Sequence, residues 1–571
     1  MEPPANFTGD LPESLSPYLE KALKLNETLM AAILDQSKAA QTYWLGLYRC
    51  VNDFTLPFLN ALNAAIAAAR EKLEHTPSQE SLQNYLSLHL FNLQMMQTGL
   101  MGGMKTLNDY HVRQMDIAFR AWLNTAFGLE GENIGDLMAR QAQLMDLVVH
   151  AYPNAIRAIK TEYGFHFDDG GYDLIAETDR FYLYQVLPRH KGVKVRKRGK
   201  PVVIIPPYVN GGHILACLPG EDKSYAHCFA NQGIPTYIRF LKDIDITPAV
   251  QLLTGEDDCR DTQLFCEKVK ERHGKPVTLC GYCQGGFTAV VNLLSGELDG
   301  LVDALITCVA PMDGTRSKAF RAFLDQLPES LKDLVFAMKR LPNGNQVVDG
   351  KLVSWVIKLK NILNENPITA FYRDIKMLEK GPGISKSAAA INHWLLYDVA
   401  DMPLAICKMS YDSYTIPVAE DGTLPFRLFG RSLNFKRIEE KGIPWLICCA
   451  ERDDLVEKEA ALAPLDWVNA EVSIFPKGHV AIATSWSLPT SECSLDSCFL
   501  DFRGPVRYQL DLEKAMGRSR RSAPLTKRSR RSASSTQRSK RLIPFTKRVG
   551  PMTSSFKSQP GITRIKFSEG Q

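Results

Sequence analysis

Val277-Thr-Leu-Cys280-Gly281-Tyr-Cys283-Gln-Gly285-Gly286 is the stretch that decides the architecture. It starts as a β-branched, apolar strand, breaks at Gly281-x-Cys283-x-Gly285, and runs on into the helix-like segment Phe287 to Leu294. A strand that turns so sharply into a helix strains the backbone at the apex and leaves no room for flanking side chains, so small neighbours are a steric requirement. The turn lifts the Cys283 sulfur above the sheet edge and sets it at a helix N-terminus, where the dipole and free amides favour thiolate over thiol. The pattern reads as a nucleophile elbow carrying a thiol. Two plainer readings stand beside it: a Gly-rich β-to-α turn with an inert cysteine, and a C-x-x-C pair of Cys280 and Cys283. A redox or zinc pair wants its first cysteine exposed or a second pair nearby, and Cys280 instead ends an apolar strand.

Outward from the elbow, strands and helices alternate. Strands are expected at Val202 to Ile205, Ile234 to Phe240, Val302 to Val309, Ile443 to Ala450 and Glu471 to Phe475, with a helix at Asp258 to Arg272. Central strands that are apolar throughout argue a mostly parallel sheet with helices on both faces. Residues 166–311 and 443–490 are assigned to this α/β core. The segment between, 312–442, is far longer than an ordinary crossover and reads as a helical cap over the site. Leu331, Leu334, Val335, Met338, Val356, Ile357, Leu359 and Ile362 supply its helix-like apolar spacing.

Residues 1–165 carry long helical periodicities, such as Leu56, Leu59, Leu62, Ile66 and Leu73, and turn signals at Thr76-Pro77-Ser78 and Gly102-Gly103. The alternating run Phe181 to Leu187 marks the change to strand, and the basic turn Lys191 to Lys200 reads as a solvated hairpin loop. Residues 491–571 form a basic tail with three decapeptide repeats starting at Arg518, Arg528 and Arg538. Three copies without apolar faces cannot stack into a solenoid, and a solvated, disordered extension is expected.

Composition sets the class. The chain has 571 residues, 45% hydrophobic and 23% charged, which is ordinary globular usage and enough for two or three units. The net charge of +5 hides a split, because residues 512–571 hold 16 Lys/Arg against 2 Asp/Glu, leaving 52 against 61 in the rest. Nucleic-acid attraction would rest on that tail alone, where Phe545 is the only aromatic within the repeats, so no specific nucleic-acid partner is expected. The start, Met-Glu-Pro-Pro-Ala-Asn, has no leader pattern and no segment reaches the ~18 apolar residues of a membrane span, which points to a cytoplasmic protein without a transmembrane segment. Its 13 cysteines, several inside apolar strands, look like reduced, buried thiols. No clustered ligand spacing implies a metal, and no phosphate loop or dinucleotide fingerprint appears.

A cysteine nucleophile needs a base and an orienting carboxylate, in the chain order nucleophile, acid, histidine for an α/β-hydrolase sheet. The strand Ile443 to Ala450 opens into Glu451-Arg-Asp453-Asp454-Leu-Val456, and the strand Glu471 to Phe475 opens into Pro476-Lys-Gly478-His479-Val480. His479 is therefore the expected base, with His213 and His227 as rivals, and Asp453 the preferred acid, with Asp454 in reserve. The oxyanion hole is expected from the backbone N–H of Gln284 and that of Val209, in the loop Pro207 to Gly211.

Pro206-Pro207-Tyr208-Val209-Asn210, Gly281-Tyr-Cys283-Gln-Gly285-Gly286, Asp453-Asp-Leu-Val456 and Gly478-His479-Val480 together resemble the polyhydroxyalkanoate (poly-3-hydroxybutyrate) synthase family, over roughly residues 172–486. The family's patterns are P-P-W-I-N, G-x-C-x-G-G, D-H-[IL]-V and a late G-H-[IV]. Tyr208 replaces its tryptophan, Asp454 replaces the histidine after its catalytic aspartate, and Gly211 to Asp257 keep little beyond the layout. The resemblance implies an acyltransferase of α/β-hydrolase fold in which Cys283 carries the acyl group, His479 is the base and Asp453 its partner. It implies no bound cofactor, a 3-hydroxyacyl-coenzyme A substrate and a growing polyester chain. A homodimer and a polymer-granule surface are the further partners it leaves open. A cysteine hydrolase on the same sheet, thioesterase or polyester depolymerase, and a non-catalytic granule-associated protein are the alternative readings.

Overall fold

The structure is a computed structural model that describes residues 16–380 and 383–485. The repeat tail, the first fifteen residues and residues 486–490 of the expected core lie outside the described residues.

The core is one eight-stranded sheet. Its strands are β1 (Tyr172–Glu177), β2 (Phe181–Val186), β3 (Val202–Ile205), β4 (Thr236–Leu241), β5 (Val277–Tyr282), β6 (Val302–Cys308), β7 (Trp445–Ala450) and β8 (Glu471–Phe475). They lie in the order β1-β2-β4-β3-β5-β6-β7-β8. Strand β2 pairs antiparallel with both neighbours, and every pair from β4 through β8 is parallel. β3, β5 and β7 are buried along their whole length, as continuous apolar strands between two helix layers must be. This order, with its single antiparallel strand, is the α/β-hydrolase fold. The strand β1 was not legible beforehand, because its exposed Asp173 and Leu174 break any clean alternation.

The run from Lys191 to Lys200 is not a hairpin loop. Strand β4 separates β2 from β3, so the segment must cross the sheet end. Lys200 at its close is buried, donating to the carbonyl oxygen of Pro276 at 2.6 Å and pairing with Asp303.

Ahead of the sheet stand α1 (Ser16–His75), α2 (Gln79–Phe127) and α3 (Ile134–Asp146). The turn at Thr76-Pro77-Ser78 occurs as expected, with the Ser78 hydroxyl capping α2 by accepting from the Ser81 N–H at 3.0 Å. Gly102-Gly103, by contrast, is no turn: both glycines lie inside α2. They are there for close approach, since a Cβ on Gly102 would sit 2.1 Å from the carbonyl oxygen of Leu363 and one on Gly103 would sit 2.9 Å from Ile368. Phe58, Ala65 and Ala69 of α1 and Leu88, Phe91 and Met95 of α2 share one apolar cluster with Phe320, Val356, Leu359 and Ile362, so the N-terminal helices back the insertion directly.

The insertion holds helices, among them α4 (Gly350–Lys358) and α5 (Leu404–Thr415), and two small sheets, one of Met338–Arg340, Gln346–Val348 and Met402–Pro403, the other of Thr423–Leu428 and Arg431–Asn434. Leu331, Leu334, Val335 and Met338 do not share a helix: Leu334, with φ of 62°, stands between two short helical turns, and Met338 opens a strand. Within 423–442, Leu424, Leu428, Leu433, Phe435 and Ile438 join the core cluster of Phe287 and Trp445. Among the described residues no helix is long and apolar enough to cross a membrane.

Gly102→Ala tests the contact between α2 and the insertion. Better helix propensity would contribute about 1 kcal/mol, but forcing a methyl group against a fixed carbonyl costs on the order of 1–3 kcal/mol. A backbone contact of 2.1 Å puts the site at the upper end, so a net loss of about 1–2 kcal/mol in urea unfolding is expected.

Candidate active site

The apex of the elbow carries the strain that its sequence predicts. Cys283 has φ 52° and ψ −125°, outside the regions a side chain ordinarily adopts, and the helix Gln284–Ser295 starts at the next residue. The glycines make the turn possible. A Cβ on Gly281 would lie 2.3 Å from the Cα of Gly286, and one on Gly285 would lie 2.3 Å from the carbonyl oxygen of Ile205 on β3. The Cys283 N–H is spent on the Cys308 carbonyl at 2.8 Å, which pins the apex to the neighbouring strand.

The thiols divide sharply. Cys283 is half-buried, whereas Cys280 and Cys308 are fully buried and share the Tyr225 hydroxyl at 2.9 and 3.3 Å. Burial, then the neighbouring Cys308 sulfur, holds the Cys280 thiol well above its usual range. That chemistry suits a packed thiol, and neither Cys280 nor Cys283 is in a disulfide.

At the C-terminal ends of β7 and β8 the structure brings Asp453 and His479 together, with His479 Nδ1 2.7 Å from Asp453 Oδ2. The carboxylate is held from behind as well, since Asp453 Oδ1 accepts the N–H groups of Leu455 and Val456, each at 3.0 Å. Its side chain is fully buried, while that of Asp454 is 69% exposed and turns to Lys360 and Asn361. The geometry thus separates the two candidate acids: only Asp453 reaches the imidazole. Tyr282, the residue before Cys283, donates from its hydroxyl to the His479 carbonyl oxygen at 2.6 Å and ties the histidine loop to the elbow.

The electrostatics couple the three side chains. Burial opposes charge on the His479 ring, but the Cys283 sulfur and the Asp453 carboxylate, by charge and hydrogen bonding, together raise its pKa well above the usual imidazole value. The imidazole of His479 is therefore favoured in its charged form. The rival histidines are engaged elsewhere. His213 Nδ1 accepts the Phe165 N–H at 3.2 Å, and His227 Nδ1 lies 2.7 Å from the Ser224 hydroxyl. Burial depresses both, His227 to about 3.

Of the two expected oxyanion donors, Gln284 opens the helix that follows Cys283 and Val209 lies on the loop after β3. Among the described residues no acceptor takes the N–H of Gln284 or of Val209. The Gln284 side chain links the loops by accepting the Tyr208 N–H at 3.3 Å. Tyr208 then reaches into a buried network that sequence reasoning missed: its hydroxyl pairs with Asp258, Arg239 bonds Asp258 at 2.7 Å, and Asn292 donates to the same carboxylate at 2.6 Å. The available signal was Arg239, a lone charge in an otherwise apolar strand. A hydroxyl at position 208 is what this charged pair requires, and it anchors the loop carrying Val209. Tyr414, at the end of α5, was also missed. Burial, with the Cys283 sulfur and the Asp453 carboxylate, holds its phenol well above its usual range, so the insertion presents a protonated hydroxyl to the site.

Comparison with protein-family models finds no match, and comparison with curated proteins finds none. Solved structures with similar coordinates include a carboxylesterase from Bacillus subtilis, at 10% identity and a TM-score of 0.30, covering 59% of this chain and 93% of that one. An esterase from Rhodococcus is similar at 13% identity and a TM-score of 0.28, over 58% of this chain and 100% of its own. The naproxen esterase of Bacillus subtilis follows at 12% and 0.27, over 59% and 94%. The strand order and the elbow define this chain as an α/β-hydrolase fold with a cysteine at the elbow and a large insertion after β6.

The raised His479 has a signed consequence. Its charged form is favoured by folding, so this contribution to stability is complete below the unfolded pKa of about 6.5 and is lost as pH rises through the higher folded value. Asp453→Asn is expected to destabilise more at pH 6 than at pH 9, which urea titrations at the two pH values check.

Proposed function

We propose that this protein is an acyltransferase that joins 3-hydroxyacyl groups from coenzyme A thioesters into a polyester, working through Cys283, His479 and Asp453. The single observation that carries the reading is the Cys283 thiol at a strained elbow, coupled to an imidazole that Asp453 holds at 2.7 Å. The four motifs that resemble the polyhydroxyalkanoate synthase family support the substrate class.

In this reading the Cys283 thiolate attacks the thioester carbonyl, and the oxyanion forms against the N–H groups of Gln284 and Val209. Coenzyme A leaves as its thiol, taking the proton from His479. Exchange of one thioester for another loses little free energy, so the acyl group stays activated on the enzyme. His479 then takes the proton from the 3-hydroxyl of a second hydroxyacyl group, whose oxygen attacks the waiting thioester and forms an ester bond. The Cys283 sulfur is the leaving group and recovers the proton through His479. Asp453 keeps the imidazole in one tautomer and stabilises the imidazolium at each stage. Polymerisation in place of hydrolysis needs water kept from the acyl-enzyme, and the insertion, with Tyr414 at the site and α1 and α2 behind it, is suited to that exclusion.

Incubation with 3-hydroxybutyryl-coenzyme A tests the proposal. Thiol release accompanied by insoluble polymer is expected, and release with only free hydroxy acid would instead establish a cysteine hydrolase. Cys283→Ala should abolish the acyl adduct seen by intact mass spectrometry, and an adduct persisting on the variant would overturn the assignment. His479→Gln should lower turnover by about 10²–10⁴-fold, the range for loss of a general base.

A further inference from the structure

The loop that carries Asp453 is gripped by the insertion. Lys360, on the segment after α4, donates from Nζ to the carbonyl oxygen of Asp454 and lies 3.6 Å from its carboxylate, while Asn361 Nδ2 donates to that carboxylate at 3.1 Å. Farther along, the Glu457 N–H donates to the Ser317 hydroxyl at 3.1 Å, and Glu457 Oε1 accepts the Ala319 N–H at 2.9 Å. Lys360 is not a loose surface lysine. Its side chain is 9% exposed, and its ammonium stands 5.9 Å from the centre of the Phe320 ring.

The covalent geometry makes this contact matter to the site. The carbonyl of Asp454 and the N–H of Leu455 are the two ends of one peptide unit, which is planar and trans, so they point in opposite directions. Lys360 holds the oxygen end. The other end donates to Asp453 Oδ1 at 3.0 Å, and Asp453 Oδ2 holds His479 at 2.7 Å. A cation on the carbonyl both aims that N–H and polarises it into a stronger donor. The chain of contacts runs from the insertion to the imidazole through one peptide plane.

We propose that Lys360 is a positioning residue: by fixing the Asp454 peptide it makes the alignment of Asp453 with His479 depend on the insertion being seated over the site. An unseated insertion leaves the peptide free to rotate, and the His479 imidazole loses its carboxylate support. The histidine that follows the catalytic aspartate in the resembled family is replaced here by an aspartate, which brings a carboxylate to the same lysine. The inference rests on Cys283, His479 and Asp453 acting as one unit, and it is indifferent to whether water or a hydroxyl accepts the acyl group.

The test is the pH dependence of Cys283 alkylation by iodoacetamide, followed by peptide mass spectrometry on the full chain. The groups facing the Cys283 and His479 pair are Asp453, Tyr282 and Tyr414, and Lys360→Met alters none of them. Lys360→Met, which keeps the length of the stem, is expected to raise the alkylation midpoint by about one pH unit, that is, about tenfold slower labelling below the midpoint. Lys360→Arg is expected to restore it. Thermal unfolding of each variant separates this from a packing defect, because a merely looser insertion would expose the sulfur and speed labelling at every pH without moving the midpoint. An unmoved midpoint in Lys360→Met, or a shift that Lys360→Arg fails to relieve, overturns the proposal. If the wild-type chain releases no coenzyme A while the midpoint still moves in Lys360→Met, the polymerase reading fails and this inference stands.

Discussion

The molecule is organised around one unfavourable backbone conformation. Cys283 sits at φ 52° because β5 ends and a helix begins with no residue to spare, and everything nearby is arranged to tolerate that. Gly281, Gly285 and Gly286 let three backbones approach within distances that a single methyl group would forbid. The bond from Cys283 N–H to the Cys308 carbonyl holds the apex against β6. A conformation of this kind is worth on the order of 1–3 kcal/mol of strain and persists only where its surroundings over-determine it. What it secures is a sulfur that stands proud of the sheet edge while Cys280, three residues earlier, is sealed inside.

Around that sulfur the polar groups form two separate systems. One runs from Cys283 through His479 to Asp453 and on to the peptide of Leu455. The other is the fully buried set of Arg239, Asp258, Tyr208 and Asn292 beneath the loop that carries Val209. A buried ion pair contributes little net stability once desolvation is counted, so its value here lies in direction. It fixes where the Tyr208 hydroxyl must go, and so the height of the next backbone N–H above the sheet. The Gln284 side chain, bonded to the Tyr208 N–H, makes the two loops one rigid unit.

The insertion belongs to the site as much as the sheet does. It contributes Tyr414, whose phenol feels the charges of Cys283 and Asp453, and Lys360, bonded to the loop of Asp453 and Asp454, and it is clamped in turn by α1 and α2 through the apolar cluster that includes Phe58, Leu88 and Val356. A path of ordinary packing contacts and three hydrogen bonds thus joins the N-terminal helices to the imidazole.

From sequence alone the elbow, the parallel sheet and the succession of Cys283, Asp453 and His479 at strand ends were legible, because each follows from local sterics and from apolar strands that need no distant partner to be recognised. Strands β3 and β8 fall at the expected residues, and Asp453 and His479 lie on the expected loops. Only the tertiary structure decided between Asp453 and Asp454, since two adjacent carboxylates differ solely in which way the folded loop turns them. It also retired His213 and His227, turned Gly102-Gly103 from a turn into a packing contact, and buried Lys200 with Asp303 where a solvated loop was expected. Each of those depends on a partner far along the chain, and pairing across such separations leaves no periodicity in the residues themselves.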